Sequence, residues 1–394
     1  REMEFNRLLS QAISYYGENK KVVTSSLSKF SKFNLEKYET INKLDNLDSW
    51  IKSAETNGFL AIDTETDSIN PVEANLVGLS LSTSPNKACY IPLKHKNFNC
   101  LKTDKVLKKL KPILEDISVK KVGQNIKYDY IVLLKYNIDL TPIEDTMLMS
   151  YTLDAGNHRH GMDLLSEIYF NHKPISFKEI TGSGKKQIKF SEVSIDVATK
   201  YAAEDADITL RLYNILKERL DKEKLNKIYQ LLEKPFVKIL ALMEINGIKI
   251  DTTHLKKLTK RFENKIKIYE DKIFKISKKN FNIASPKQLG EILYEELKIA
   301  KLKKTKKGSY ATSAKILEDL AFQGHELPKL ILDWRQISKL KNTYSDTLPK
   351  HLNSITNRIH TSFLLAATTT GRLASSNPNL QNIPIKTEEG REIR

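Results

Sequence analysis

Phe59-Leu60-Ala61-Ile62 runs directly into Asp63-Thr64-Glu65. Four apolar residues in succession predict a buried strand, and residues two apart on a strand project to the same face. The strand therefore carries two carboxylates side by side. Such a pair repels unless a cation lies between them. Hard divalent cations take oxygen ligands, so Mg²⁺ or Mn²⁺ is the expected occupant. A lone D-x-E is more often a solvated strand end, so the rest of the chain has to decide.

Around this strand the pattern is that of an α/β domain. Residues 76–83 and 88–93 read as further strands, 106–114 as an amphipathic helix and 119–123 as a short strand. Helices are expected over 126–136, 144–153 and 164–170, and 171–190, with Gly182 and Gly184, reads as a loop. Strands followed by mixed helix and strand indicate α/β layering. A long helix is expected from Ser194, a residue suited to an N-cap. Beyond Leu212 the pattern is almost wholly helical to about residue 348. Leu255, Leu258, Phe262, Ile266, Tyr269, Ile273 and Ile276 step by three or four and form one apolar stripe. Ser285-Pro286-Lys287-Gln288 has the layout of a capping box with proline at the first helical position.

Two further acids change the weight of the first pair. Asp129 lies in VGQNIKYDYIVL, on the helix after the short strand. Asp205 lies in KYAAEDADITL, with Tyr201 one helical turn before it. Residues four apart share a helix face, so Ala198, Tyr201, Asp205, Ile208 and Leu212 form one inward stripe. An Asp in such a stripe is costly to bury unless it is paired or metal-bound. Asp63, Glu65, Asp129 and Asp205 together could hold two divalent metal ions about 4 Å apart, which suits phosphodiester hydrolysis: one ion activates water and the other stabilises the leaving oxygen. Tyr201 is placed to orient the water with Glu65.

Charge points to the substrate class. Lys and Arg total 65 against 48 Asp and Glu, a formal charge of +17. That excess favours an extended polyanion, most often nucleic acid. With 394 residues, two or three domains are expected. No apolar run reaches the ~20 residues of a membrane helix, and the mean hydropathy is −0.43. Cys89 and Cys100 match no zinc spacing and read as plain thiols in a reducing compartment.

The D-x-E, N-x-x-x-D and Y-x-x-x-D elements, in this order, resemble the DEDD exonuclease superfamily in its tyrosine-bearing branch. The words DTETDS, VGQNIKYD, DTMLMSYTL, HGMDLL and YAAEDADITL resemble the proofreading domain of family A DNA polymerases of the bacterial DNA polymerase I, or Klenow, type. The resemblance implies a ribonuclease H-like α/β fold with a mixed central sheet, followed by a mainly helical polymerase thumb. It implies that Asp63, Glu65 and Asp205 bind one metal, Asp63 and Asp129 the second, and that Tyr201 positions the nucleophile. It also implies that single-stranded 3′ ends are gripped by Ile69, Gln124, Asn125, Tyr128, Arg159 and Phe177; Ile69 and Phe177 would wedge or stack against bases, which tolerates any sequence.

The helical half continues the likeness. LEKPFVKILALMEINGIKID resembles the family A entry into the thumb, and KLKKTKKGSYATSAKILEDLA the basic thumb tip, with Lys301, Lys303, Lys304, Lys306 and Lys307. Such a loop suits phosphates and gives affinity without sequence reading. TTTGRLASSNPNLQNIPIKTEEGREIR resembles the segment before the polymerase core. Arg372 matches a minor-groove contact at the primer terminus, Gln381 and Asn382 match template-side contacts, and Lys386 stands where the family often has arginine, which keeps the charge but not the forked hydrogen bonding. The family's polymerase carboxylates lie further on, so this stretch is expected to excise but not to polymerise by itself, and dNTPs would bind only through the missing polymerase part.

On this reading residues 1–40 are a leader or linker, 41–220 the exonuclease domain and 221–394 the incomplete start of the polymerase domain. The expected partners are single-stranded 3′ ends and primer–template duplex, with no membrane, and the chain is expected to be a monomer. Heavy use of lysine, asparagine and isoleucine makes it similar to the plastid (apicoplast) family A polymerase of apicomplexan parasites; the alternative source is the cytoplasm of an AT-rich bacterium. Two other functions compete: an exoribonuclease similar to RNase D, for which TGRL…NLQNIP has no purpose, and a non-catalytic DNA-binding module with vestigial acids.

Overall fold

The computed structural model describes residues 32–299 and 310–394. The chain divides into two compact units, one ending at Ala241 and the other spanning Leu242–Arg394.

The first unit is built on a six-stranded mixed sheet. Its strands are β1 (Glu39–Thr40), β2 (Phe59–Thr66), β3 (Leu76–Ser84), β4 (Lys87–Pro92), β5 (Lys120–Gly123) and β6 (Ile143–Asp145). The spatial order is β1-β4-β3-β2-β5-β6. β2, β3 and β4 pair antiparallel, whereas β1–β4, β2–β5 and β5–β6 are parallel. β3 is buried along both faces, as its LVGLSLST run requires. Gly78 lets β3 and β4 close: a Cβ there would lie 2.1 Å from the Tyr90 hydroxyl.

Helices flank the sheet: α1 (Asn46–Asn57), α2 (Thr103–Glu115), α3 (Lys127–Leu134), α4 (Thr146–Asp154), α5 (Met162–Phe170), α6 (Phe177–Thr181) and α7 (Ile195–Lys222). α7 crosses β2, β3 and β4. Its sheet-facing positions include Ala198, Ala202, Ala203 and Ala206, all fully buried, so the helix backbone approaches the strands closely. On α7, Asp207 and Arg211 form a fully buried ion pair at 3.0 Å. Tyr38 donates to the same carboxylate at 2.9 Å, and the Phe33 ring lies 4.1 Å from the Arg211 guanidinium. Residues from the stretch read as a leader therefore pack on α7.

Two expectations are corrected. The helix expected over 144–153 begins only at Thr146, because Ile143–Asp145 pairs as a strand with β5; three residues are too few to show alternation. The loop expected over 171–190 contains α6, started by a full capping box between Ser176 and Glu179, a signal present in S-F-K-E. Ser194 does stand at the N-cap of α7, but its side chain makes no capping bond.

A helix, α8 (Lys234–Asn246), follows. The second unit contains α9 (Thr252–Ser277), α10 (Pro286–Gly290), α11 (Ala314–Phe322), α12 (Glu326–Leu340) and α13 (Glu388–Ile393), with a hairpin of β7 (Ser362–Leu364) and β8 (Ala374–Ser376). The apolar stripe of α9 feeds two cores. Leu255, Leu258 and Phe262 pack with Ile337, Leu340 and Tyr344. Ile273 packs with Leu289, Leu293 and Ile331. Ser285 caps α10 by accepting from Gln288 N. The Gln288 side chain accepts from Asn282 N at 2.6 Å instead of closing the box. Both cysteines are free thiols. Among the described residues no helix is long and apolar enough to cross a membrane.

Candidate active site

β2 supplies the first two acids. Asp63 and Glu65 face the same side, and α7 lies against that strand and brings Asp205 over it. One carboxylate oxygen from each of Asp63, Glu65 and Asp205 lies within 4.8 Å of the others. Glu65 and Asp205 are buried and Asp63 half-buried. Their carboxyls all sit well above the ordinary range. Burial is the largest cause, followed by Asp205 acting on Asp63, by Asp63 and Asp129 acting on Glu65, and by Glu65 acting on Asp205. Three mutually repelling oxygen donors, two buried and one half-buried, fit a hard divalent cation, whose charge would offset the repulsion and favour the ionised carboxylates.

Asp129, on the first turn of α3, stands outside this trio. Its Oδ1 accepts from Thr64 N at 2.9 Å and from Thr64 Oγ1 at 2.6 Å. Burial and the charge of Asp63 nonetheless raise it well above the usual range, against the pull of those Thr64 bonds. Tyr201 is half-buried and stands one helical turn before Asp205 on α7. Burial, and then the charges of Asp205, Glu65 and Asp63, raise its phenol far above the ordinary value, so it stays protonated.

The residues read as contacts for a 3′ end lie on several elements of the first unit. Ile69, between β2 and β3, is 92% exposed. Tyr128 places its hydroxyl between Thr66 Oγ1 and the Ser68 carbonyl, bracing the end of β2. Burial pushes its phenol up to about 12. Phe177 is half-exposed; its ring centroid is 6.2 Å from that of Phe190, nearly parallel, and 6.2 Å from that of Tyr201, edge-on. Gln124 is half-buried, while Asn125 and Arg159 are exposed. Asn125 takes a left-handed turn, φ 58°.

Sequence reasoning gave no role to Thr64, Phe190, Asp145 or Thr146. Asp145 and Thr146 sit in the quoted word DTMLMSYTL, but an aspartate before a helix reads simply as a cap. Both Asp145 oxygens are engaged, accepting from Asn125 N, Ile126 N, Met147 N and Leu148 N. Burial raises this carboxyl to about 6 against those four amides.

In the second unit Arg372, Gln381, Asn382 and Lys386 are all exposed. The first three line one cleft of about 1220 Å³, together with Asp251, His254 and Arg394; Lys386 is not among its lining residues. The turn before Gln381 is set by Asn379 Oδ1 accepting from Gln381 N at 3.0 Å. Lys301, Lys303, Lys304, Lys306 and Lys307 lie outside the described residues.

A mixed sheet crossed by a long helix, with a carboxylate trio between them, defines a ribonuclease H-like exonuclease domain joined to a mainly helical region. Comparison with known proteins agrees. Residues 38–221 match the 3′-5′ exonuclease family and residues 252–394 match DNA polymerase family A. DNA polymerase I of Rhizobium leguminosarum is 48% identical over 92% of this chain and 38% of its own length. DNA polymerase I of Pseudomonas aeruginosa is 41% identical over 100% of this chain and 44% of its own. Among solved structures, the POL domain of Pol1 from M. smegmatis in complex with DNA primer-template and dNTP matches with a TM-score of 0.76 and 27% identity, over 90% of this chain and 57% of that one. The chain belongs to the family A DNA polymerases that carry a 3′–5′ exonuclease domain, of the bacterial DNA polymerase I type. It spans about two fifths of the length of the curated relatives it matches.

Proposed function

We propose that this chain removes nucleotides from the 3′ end of single-stranded DNA, as the proofreading part of a family A DNA polymerase. One observation carries the reading: Asp63, Glu65 and Asp205 converge within 4.8 Å, with Tyr201 one turn before Asp205 on the same helix. Asp63, Glu65 and Asp205 would hold one divalent ion, and Asp63 with Asp129 a second. Bound Mg²⁺ or Mn²⁺ supplies Lewis acidity for water attack on the phosphodiester and for the leaving 3′ oxygen. Thr64 holds one Asp129 oxygen, which fixes the direction of the other. Tyr201, kept protonated, orients the attacking water together with Glu65. Phe177 and Ile69 pack against the terminal bases, Tyr128, Gln124 and Asn125 hold the last nucleotides, and Arg159 meets a phosphate.

The domain assignment belongs to this reading: residues 1–40 as a leading stretch whose last residues pack into the first unit as β1 and on α7, 41–220 as exonuclease and 221–394 as part of the polymerase domain. Arg372, Gln381, Asn382, Lys386 and the Lys301–Lys307 stretch would meet primer–template duplex, the kind of DNA in the complex of M. smegmatis Pol1. A plastid source rests on lysine, asparagine and isoleucine usage; an AT-rich bacterial source meets the same composition.

The test is digestion of matched single-stranded DNA and RNA in Mg²⁺, alongside calorimetric Mn²⁺ titration of wild type and Asp63→Asn. Preferred DNA digestion with Asp63-dependent metal binding is the expected result. Preferred RNA digestion would assign an exoribonuclease similar to RNase D. No digestion and no Asp63-dependent binding would leave a DNA-binding module.

A further inference from the structure

We infer that Asp145 and Thr146 are positioning residues that hold the 124–126 turn in the shape that binds the DNA 3′ end. This rests on the exonuclease reading above. The turn leaves β5 at Gly123 and enters α3, so it sets both the side chains of Gln124 and Asn125 and the start of the helix that carries Tyr128 and Asp129. At its exit the Asn125 carbonyl accepts from Tyr128 N at 3.0 Å. Asn125 has φ 58°, a region that costs a non-glycine residue energy unless its surroundings over-determine it. Gly123 is compressed as well, since a Cβ would lie 2.7 Å from Ile126 Cγ1.

The determination comes from the junction of β6 and α4. Asp145 Oδ1 accepts from Asn125 N at 3.1 Å and Oδ2 from Ile126 N at 3.1 Å. The same Oδ1 accepts from Met147 N at 2.9 Å and Leu148 N at 3.4 Å. One carboxylate, 1% exposed, thus ties the turn to the first turn of α4. Thr146 Oγ1 lies 3.1 Å from the Gly123 carbonyl and donates to Gln124 Oε1. Gln124 Nε2 then donates to the His160 carbonyl at 2.8 Å. His160 is itself fixed by Ser150 Oγ at 2.8 Å, and Arg159 precedes it. The chain Asp145–Thr146–Gln124–His160 therefore links Gln124, Asn125 and Arg159 through Asp145, Thr146 and His160, none of which is assigned a substrate contact. An ordinary helix cap needs only the Met147 and Leu148 bonds; those to Asn125, Ile126 and Gln124 add nothing to α4.

The two residues separate by experiment. Asp145→Asn keeps one carbonyl oxygen for Asn125, Met147 and Leu148 but turns an amide donor toward Ile126 N. Thr146→Val keeps shape and loses only the hydroxyl, and Thr146→Ser restores it. Steady-state excision of a 5′-labelled oligo(dT) in Mg²⁺ is measured beside anisotropy binding of fluorescent oligo(dT) in EDTA, with melting temperatures as a control on folding. Both loss variants are expected to raise KM and Kd on the order of tenfold, as a displaced binding group does, with kcat within about threefold, and Thr146→Ser to return to wild type. Unchanged KM and Kd in Thr146→Val, or a fall in melting temperature with no change in either constant, would overturn the inference and leave a cap. If wild type binds oligo(dT) but excises nothing, the exonuclease reading fails, and the anisotropy arm still decides for or against positioning.

Discussion

Asp205→Asn separates the stability of the site from its activity. At no more than 4.8 Å and an effective dielectric of about 20, each ionised pair in the trio costs at least about 3.5 kcal/mol. Asn at 205 removes two of the three pairs while keeping the size of the side chain. Protonation already relieves part of this repulsion in the metal-free protein, because all three carboxyls are raised. The net gain on substitution is therefore smaller, about 1–3 kcal/mol, or roughly 3–10 °C for a unit of this size. The pH dependence has a definite sign. Acids raised in the folded state hold protons that the unfolded chain has released, so metal-free stability falls as pH rises above the ordinary carboxylate range. Asp205→Asn should flatten that fall. Mn²⁺ should raise the wild-type melting temperature, more so at higher pH as ions displace protons, and should leave the variant nearly unmoved. Differential scanning fluorimetry in EDTA and in Mn²⁺ between pH 5 and 8 reads all of this. A metal-free variant that melts below wild type, or one that keeps the full Mn²⁺ shift, would refute the reasoning.

Tyr201→Phe removes the hydroxyl proposed to orient the attacking water while keeping the ring beside Phe177; excision should slow by about 10²-fold or less with oligo(dT) affinity retained, and single-turnover kinetics checks it. Asp207→Ala leaves the buried Arg211 without its carboxylate and Tyr38 without its acceptor. It should cost about 3–5 kcal/mol, read as a loss of denaturation midpoint in the first unit; a shift under 1 kcal/mol would deny the pair its role in anchoring residues 33–38. Replacing Lys301, Lys303, Lys304, Lys306 and Lys307 with glutamine should weaken duplex binding and flatten its salt dependence; an unchanged slope in a salt titration would show a loop that meets no phosphate.

The acid-bearing elements were legible because each rests on a local rule. The apolar run before Asp63 marks β2, and the four-residue spacing of Tyr201 and Asp205 marks one face of α7. β6 was not legible: a three-residue parallel strand makes its pairing with β5, and that partner lies some twenty residues earlier in sequence. α6 was legible in principle, since Ser176 and Glu179 spell its capping box, but the glycines beyond it outweighed that signal. Asp145 shows the remaining gap. Sequence displays the aspartate before α4, whereas its second task depends on where β5 brings Asn125. The separation of Asp129 from the other three acids is likewise tertiary, set by Thr64 on the strand between Asp63 and Glu65.

The most direct test of the exonuclease reading is digestion of a 5′-labelled single-stranded DNA in Mg²⁺, in Mn²⁺ and in EDTA, wild type beside the Asp63→Asn, Glu65→Gln double variant. A ladder shortening from the 3′ end, present with either metal, absent in EDTA and absent in the folded double variant, is the predicted result. Digestion that persists in the double variant with an unchanged metal requirement would place the chemistry elsewhere and contradict the account.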